Sequence, residues 1–206
     1  CDEIWSQASM SLGAPLYASQ DPTFSGEFPE GVGAQLPASL LTLQELHFIN
    51  TTAQAVEVSG EINITAAPPG TELIYANGLF GSIDEIELPP HQETILQANC
   101  VVPVDMDVFV LGSHFHSRGK RFDIRMLDAQ GNEGDLVYES TDWESPPLQI
   151  MSDQPIHLTA GSGFSYSCDF NNETDDTIYA GESSTDEMCM MVGIYYPDAG
   201  FLRCGG

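Results

Sequence analysis

Apolar and polar residues alternate along several stretches of this chain. Val56 and Val58 with the Glu61 to Thr65 segment, then Val102, Val104, Met106, Val108 and Val110, then Phe122, Ile124 and Met126 place apolar side chains at every second position. A period of two puts those side chains on one face of an extended chain, so each run is predicted to be a half-buried strand. Turn-forming clusters fall between the runs, at Pro68-Pro69-Gly70, Asp128 to Asn132 and Asn171 to Thr174, and their spacing suits a sandwich. Helical signals are weak: 19 Gly and 13 Pro are spread throughout, and no long stretch repeats apolar residues at helical intervals. The predicted class is all-β, an antiparallel two-sheet β-sandwich of jelly-roll-like form. The first 40 residues differ, rich in Ser, Pro, Gly and Ala with little alternation before Leu40. They are expected to be irregular chain lying over a neighbouring surface. The sandwich is placed at residues 66–206, with residues 1–65 packed on it, because the early segment has too few apolar strand residues to close its own core.

Charge narrows the partners. The chain has 206 residues, 31 Asp plus Glu, 5 Lys plus Arg and a formal net charge of −26. Such a field repels phosphate backbones and anionic lipid, which argues against nucleic acid as a partner. No run of apolar residues is long enough to span a membrane. Five cysteines stand at 1, 100, 168, 189 and 204, too far apart for a zinc ribbon or a thioredoxin-like pair. Two structural disulfides and one remaining thiol, in an oxidising compartment, are the expectation. Spacing alone leaves three pairings for any chosen four. The acidic turn from Asp128 to Asp135 lacks the spacing of an EF-hand loop and reads as a solvated hairpin turn.

Candidate chemistry centres on Gly112 to Lys120. On a strand, residues i and i+2 share a face, so His114 and His116 can present two imidazoles to one ion. The same spacing also suits solvated or hydrogen-bonded histidines. A second cluster, Thr185 to Met191, contains Met188 beside Cys189. Methionine is ordinarily core filler, but a thioether beside two imidazoles suits copper, Cu(I) in particular.

From about Pro89 to Cys204 the chain resembles the second domain of the copper type II, ascorbate-dependent monooxygenases, the family of peptidylglycine α-hydroxylating monooxygenase and dopamine β-monooxygenase. Ser113-His114-Phe115-His116 with Gly119-Lys120, then Cys168, the stretch Gly181 to Cys189, and Tyr195-Tyr196 carry the resemblance. It implies one catalytic copper held by His114, His116 and Met188, with an open position for dioxygen. It also implies disulfides Cys168–Cys189 and Cys100–Cys204, which leaves Cys1 over. Phe28 to Gly33 and Leu43 to Phe48 resemble, more faintly, the end of the family's first domain. There His47 would be one ligand of a second copper, but the chain has no His-His dipeptide to supply the other two. His91 and His157 are read as structural. Gly112, Met190 and Val192 stand where peptide-amidating members hold a substrate carboxylate, which argues against a C-terminal glycine substrate.

The function expected from this resemblance is copper-dependent C–H hydroxylation of a small-molecule or peptide substrate, using O2 and an external reductant such as ascorbate. The chain is then a monooxygenase or a piece of one. The alternative is an exported copper-binding protein without turnover, and a third reading is a sandwich whose Met and His residues are merely packed. Arg118, Lys120, Arg121 and Arg125 form a basic island that can draw an anionic substrate or pair with nearby carboxylates. The expected location is extracellular or periplasmic. Cys1 fits either a lipid-bearing N-terminus or a trimmed chain.

Overall fold

Residues 23–36 and 50–205 are described by the computed structural model, and every regular element among them is a strand. In chain order these are β1 (Val32–Gly33), β2 (Ile74–Tyr75), β3 (Asn77–Ser82), β4 (Glu87–Leu88), β5 (Gln92–Val101), β6 (Met106–Phe115) and β7 (Gly119–Leu127). They continue with β8 (Glu133–Ser140), β9 (Gln149–Ile150), β10 (Ile156–Leu158), β11 (Gly163–Asn172), β12 (Ile178–Tyr179), β13 (Cys189–Tyr196) and β14 (Leu202–Gly205). One sheet runs β10-β6-β13-β3-β14, with β9 also on β6; a second runs β5-β11-β7-β8; β1-β2 and β12-β4 are small pairs. All pairings are antiparallel except β1 with β2 and β14 with β3. The fold is all-β, built of several largely antiparallel sheets.

Two of the alternating runs behave differently from the pattern. Val102 to Val110 is not one strand: β5 ends at Val101 and β6 starts at Met106. Pro103 has no N–H to give a ladder, and Asp105 turns its carboxylate to the backbone N–H of Ala160 at 2.8 Å. Val102 instead exchanges backbone bonds with Ser162 and Gly161. Between residues 50 and 73 no strand forms, and Val56, Val58, Ile62 and Ile64 are exposed. Alternation gives a face, but a strand also needs a neighbour for its backbone, and none of the described residues supplies one. The run at Phe122, Ile124 and Met126 does lie in a strand, β7, with Phe122 and Ile124 fully buried.

One core joins the two large sheets, with Leu79, Leu111, Phe115 and Met191 from one side and Phe122, Ile124, Phe164 and Tyr166 from the other. Its centre is aromatic. Phe122 stacks on Phe115 at 6.0 Å and on Tyr166 at 6.2 Å, and meets Tyr138 edge-on at 6.3 Å. Cys168 faces Phe122 across β11 and β7, while Cys189 faces Phe115 across β13 and β6. The Cys168–Cys189 disulfide thus crosses between the sheets beside the Phe115–Phe122 stack. Gly119 makes room for it, since a Cβ there would stand 2.0 Å from Cδ2 of Phe115. A second disulfide, Cys100–Cys204, ties β5 to β14. On the other face of β6 a smaller cluster of Val32, Ala76, Phe109 and Val110 forms, with the Phe28 ring 5.5 Å from Phe109. The acidic turn is self-contained: the Asp128 carboxylate accepts N–H groups of Gln130 and Asn132.

The disulfides close loops of very different length, with separations of 104 and 21 residues. Loop-closure entropy gives about 5 kcal/mol for the long loop and about 3 kcal/mol for the short one. Replacing Cys100 and Cys204 by Ala should therefore lower the denaturant-unfolding free energy more than replacing Cys168 and Cys189. Equal losses would mean that native packing outweighs chain entropy at both crossings.

Candidate functional site

Strand β6 emerges from the core at its C-terminal end, and the face its side chains take decides what is available there. Phe115 points inward, opposite Cys189, while His114 lies on the outer face opposite Met190, which in turn faces Ser82 on β3. His116 follows one residue after the strand. The two imidazoles meet edge-on, with centroids 5.1 Å apart and planes at 84°. A tight turn then leads into β7, closed by the Gly119 N–H on the His116 carbonyl at 2.9 Å.

A fully buried carboxylate holds this turn in place. Glu187 accepts the backbone N–H of His116 at 3.0 Å and that of Arg118 at 2.8 Å, with the Arg118 guanidinium 3.8 Å away. Burial pushes its carboxyl group above the usual range, against the pull of those two N–H groups and of the His116 and Arg118 charges. The neighbouring Asp186 offers its backbone carbonyl to Nδ1 of His116 at 3.0 Å. A carbonyl only accepts, so Nδ1 carries the proton and, in the neutral ring, Nε2 presents a lone pair. Burial, and then the charge of His116, lower the pKa of His114 to about 4, so this ring is neutral at pH 7. Behind it, Tyr138 donates its hydroxyl to the Pro147 carbonyl at 2.7 Å, so Ser113, 3.0 Å away, donates to Tyr138.

Met188 is half-buried just before β13, where the register carried one step past Cys189–Phe115 aligns it with His116. Directly across from His114 stands Met190 instead. The basic island is divided. Arg121 binds Asp123 at 2.8 Å and Glu139 at 2.6 Å, and Arg118 is held by Glu187. Lys120 and Arg125 make no ion pair with a described residue. His91 and His157 pair with Asp175 and Asp107 at 2.9 and 2.8 Å. His47 and Cys1 lie outside the described residues.

The copper expectation requires correction. Among the described residues no three or more His, Cys, Asp or Glu side chains are grouped so that they could hold a metal ion. Both acids nearest the imidazoles are committed elsewhere. Glu187 spends its carboxylate on the backbone of the turn, and Asp186 packs its own against Gly181, where a Cβ would stand 2.2 Å from Oδ2. His114 and His116 are left without the third nitrogen, thiolate or carboxylate ligand of a mononuclear centre. That finding overturns the expectation of one copper per chain. With it fall copper-dependent hydroxylation by O2 and ascorbate, the oxidoreductase assignment, and the alternative of an exported copper-binding protein. Sequence reasoning missed Glu187, which as one of 31 acids carried no mark of burial, and Tyr138, whose role depends on a chain segment nine residues away.

Fold and site together define a disulfide-linked all-β domain with an imidazole pair at the mouth of a hairpin. Comparison with protein families places it more narrowly. The copper type II ascorbate-dependent monooxygenase C-terminal domain matches residues 76–205, well over half of the chain, and the chain belongs to that family. No curated protein matches it significantly.

Because the pKa of His114 is lowered on folding, the unfolded chain binds more protons between about pH 6.5 and pH 4. Stability rises with pH in that window and falls as the solution is acidified through it. The contribution amounts to about 3 kcal/mol at most. Urea unfolding at pH 4.5 and 7 should show a smaller acid loss in His114→Gln than in the parent chain. Removing the carboxylate with Glu187→Ala should cost about 3 kcal/mol, because two buried N–H groups and a guanidinium lose their partner; the His116 ring resonances should move in the same variant.

Proposed function

We propose that this chain is a binding module of its family, one that holds an amphipathic ligand on the outer face of the β6–β13–β3 sheet. The observation that carries this reading is a half-exposed apolar row, Met190, Val192 and Phe80, that ends at the imidazole pair. The core does not use this row. Leu148 covers Gly112 and Phe201 covers Gly78, where Cβ atoms would approach them to 2.8 Å, so the open part lies between His114 and Phe80. Nε2 of His116 can accept from an amide or hydroxyl of the ligand, and the exposed Lys120 beside the hairpin favours an acidic group. A small molecule or peptide with an apolar body, one N–H or O–H donor and a carboxylate fits this set.

The two large sheets are read as the layers of a jelly-roll-like sandwich, which the shared core and both disulfides support. Residues 66–206 make up that domain in this reading, with residues 1–65 packed on it; the contact of Phe28 with Phe109 supports the packing. Family membership and two disulfides are consistent with an extracellular setting. We take the module to be exported.

N-acetyl-leucine, with its neutral amide as control, tests the reading by amide-resolved NMR titration. Saturable shifts are expected at residues 114, 116, 190 and 192, with the acid binding about fivefold tighter than the amide, the worth of one surface charge contact. Shifts centred elsewhere, or unchanged binding in His116→Ala, would sink the proposal.

A further inference from the structure

Three tripeptides of the form Asn-x-Ser/Thr occur in the chain, at Asn50, Asn63 and Asn172, each with Thr as the third residue. This pattern is the acceptor for N-linked glycan, which uses the asparagine amide nitrogen together with a hydroxyl two residues on. The pattern does not separate the three. Their surroundings do.

Asn172 is fully buried, and its amide nitrogen donates to the carbonyls of Leu88, Pro89 and Asp176 at 2.9, 3.1 and 2.8 Å. Its oxygen accepts the N–H and the hydroxyl of Thr174 at 3.1 and 2.7 Å, so a sugar on that nitrogen would have to displace three buried bonds. Asn50 is exposed but tied into its own turn: its nitrogen donates to the Gln54 carbonyl at 2.8 Å, and its oxygen accepts the N–H and hydroxyl of Thr52 at 3.0 and 2.8 Å. Local bonds of this kind hold the backbone in a turn. Asn63 differs from both. It is exposed, as is Thr65, within the strandless stretch from 50 to 73. Its nitrogen donates to the Glu61 carboxylate at 2.7 Å, an exposed bond that water replaces at little cost, and the Thr65 hydroxyl makes no hydrogen bond with a described residue. The flanking Ile62 and Ile64 are 47% and 63% exposed. Extended backbone carrying exposed apolar side chains is a template for pairing with another chain, and a bulky, hydrated group at this point bars such pairing.

We infer that Asn63 is the acceptor site for an N-linked glycan. In the transfer, the Asn63 amide nitrogen attacks the anomeric carbon of a saccharide carried on a polyprenyl pyrophosphate. The new N–C bond forms as the C–O bond to phosphate breaks; the pyrophosphate leaves with the electron pair, and one amide proton passes to a base of the transferase. No oxidation or reduction is involved. Transferase and lipid-linked saccharide belong to the compartment that receives the chain, so the inference rests on the exported setting proposed above. The experiment supplies both components and reads the acceptor apart from that setting.

The full chain, folded with both disulfides formed, is incubated with a polyprenyl-pyrophosphate-linked oligosaccharide and a purified single-subunit oligosaccharyltransferase that modifies synthetic peptides spanning each of the three tripeptides. The same chain, reduced and alkylated, is treated in parallel, and sites are read by intact mass and peptide mass spectrometry. One glycan per folded chain is expected, at Asn63, with Asn172 modified only in the reduced, alkylated chain. Asn63→Gln and Thr65→Ala should each lose the whole mass increment, whereas Asn50→Gln should retain it. A folded chain that stays unmodified, a glycan on Asn50 or Asn172 of the folded chain, or an undiminished increment in Asn63→Gln would each overturn the inference, while the exported setting, which the disulfides support, would stand.

Discussion

The crossing of the Cys168–Cys189 bridge beside the Phe115–Phe122 stack sets the geometry of the rest. Each member of the block sits on a different strand, so one covalent bond and one ring pair together register β6, β7, β11 and β13. Burial of each aromatic ring stabilises the fold by about 2–3 kcal/mol, but it is non-directional and would tolerate a slipped pairing. A slip of one residue would turn every side chain on a strand to the other face. The bridge forbids that slip where it matters most, because the residues on either side of Phe115 are the two histidines.

Burying Glu187 in so acidic a chain has a compensating logic. With 5 Lys and Arg in all, cationic side chains are too few to pair with the acids, and Arg118, Arg121 and Arg203 are already engaged with carboxylates. The Glu187 carboxylate is satisfied mainly by backbone N–H groups instead, a partner that every residue except proline supplies. This arrangement converts a costly charge into a fastener for the hairpin turn. It also explains why Glu187 does not serve as a ligand to the imidazole pair: its oxygens and the turn's amides satisfy one another.

Legibility in the sequence followed the range of the interaction involved. Alternation at Phe122 and Ile124 marked a real core face, since strand side chains obey a local rule. The same rule failed at Val56 to Ile64, where formation of a strand depends on a distant neighbour. It merged β5 and β6 across Val102 to Asp105, because apolar side chains conceal a turn made by Pro103 and Asp105. The shared environment of His114 and His116 was legible from their spacing. Whether a third ligand joins them was not, because that depends on where Glu187 and Asp186 turn their oxygens, and nothing in the string Thr-Asp-Glu-Met-Cys records it. Cysteine spacing likewise left three pairings open, and only likeness to a family chose between them.

The Cys100–Cys204 bond also governs how force travels through the molecule. Strand β14 is held to β3 by a short parallel ladder, the kind of edge that unzips readily when its end is pulled. Tension applied beyond β14 crosses only the Gly205–Ser82 pair of that ladder before it reaches Cys204. It passes through the sulfur atoms into β5, which is paired along ten residues with β11, so the pull is shared across a long antiparallel ladder in the opposite sheet. A tether attached at this end of the domain would therefore be anchored mechanically in the layer farther from the imidazole face, and strain on it would leave the registration of His114 and Met190 undisturbed.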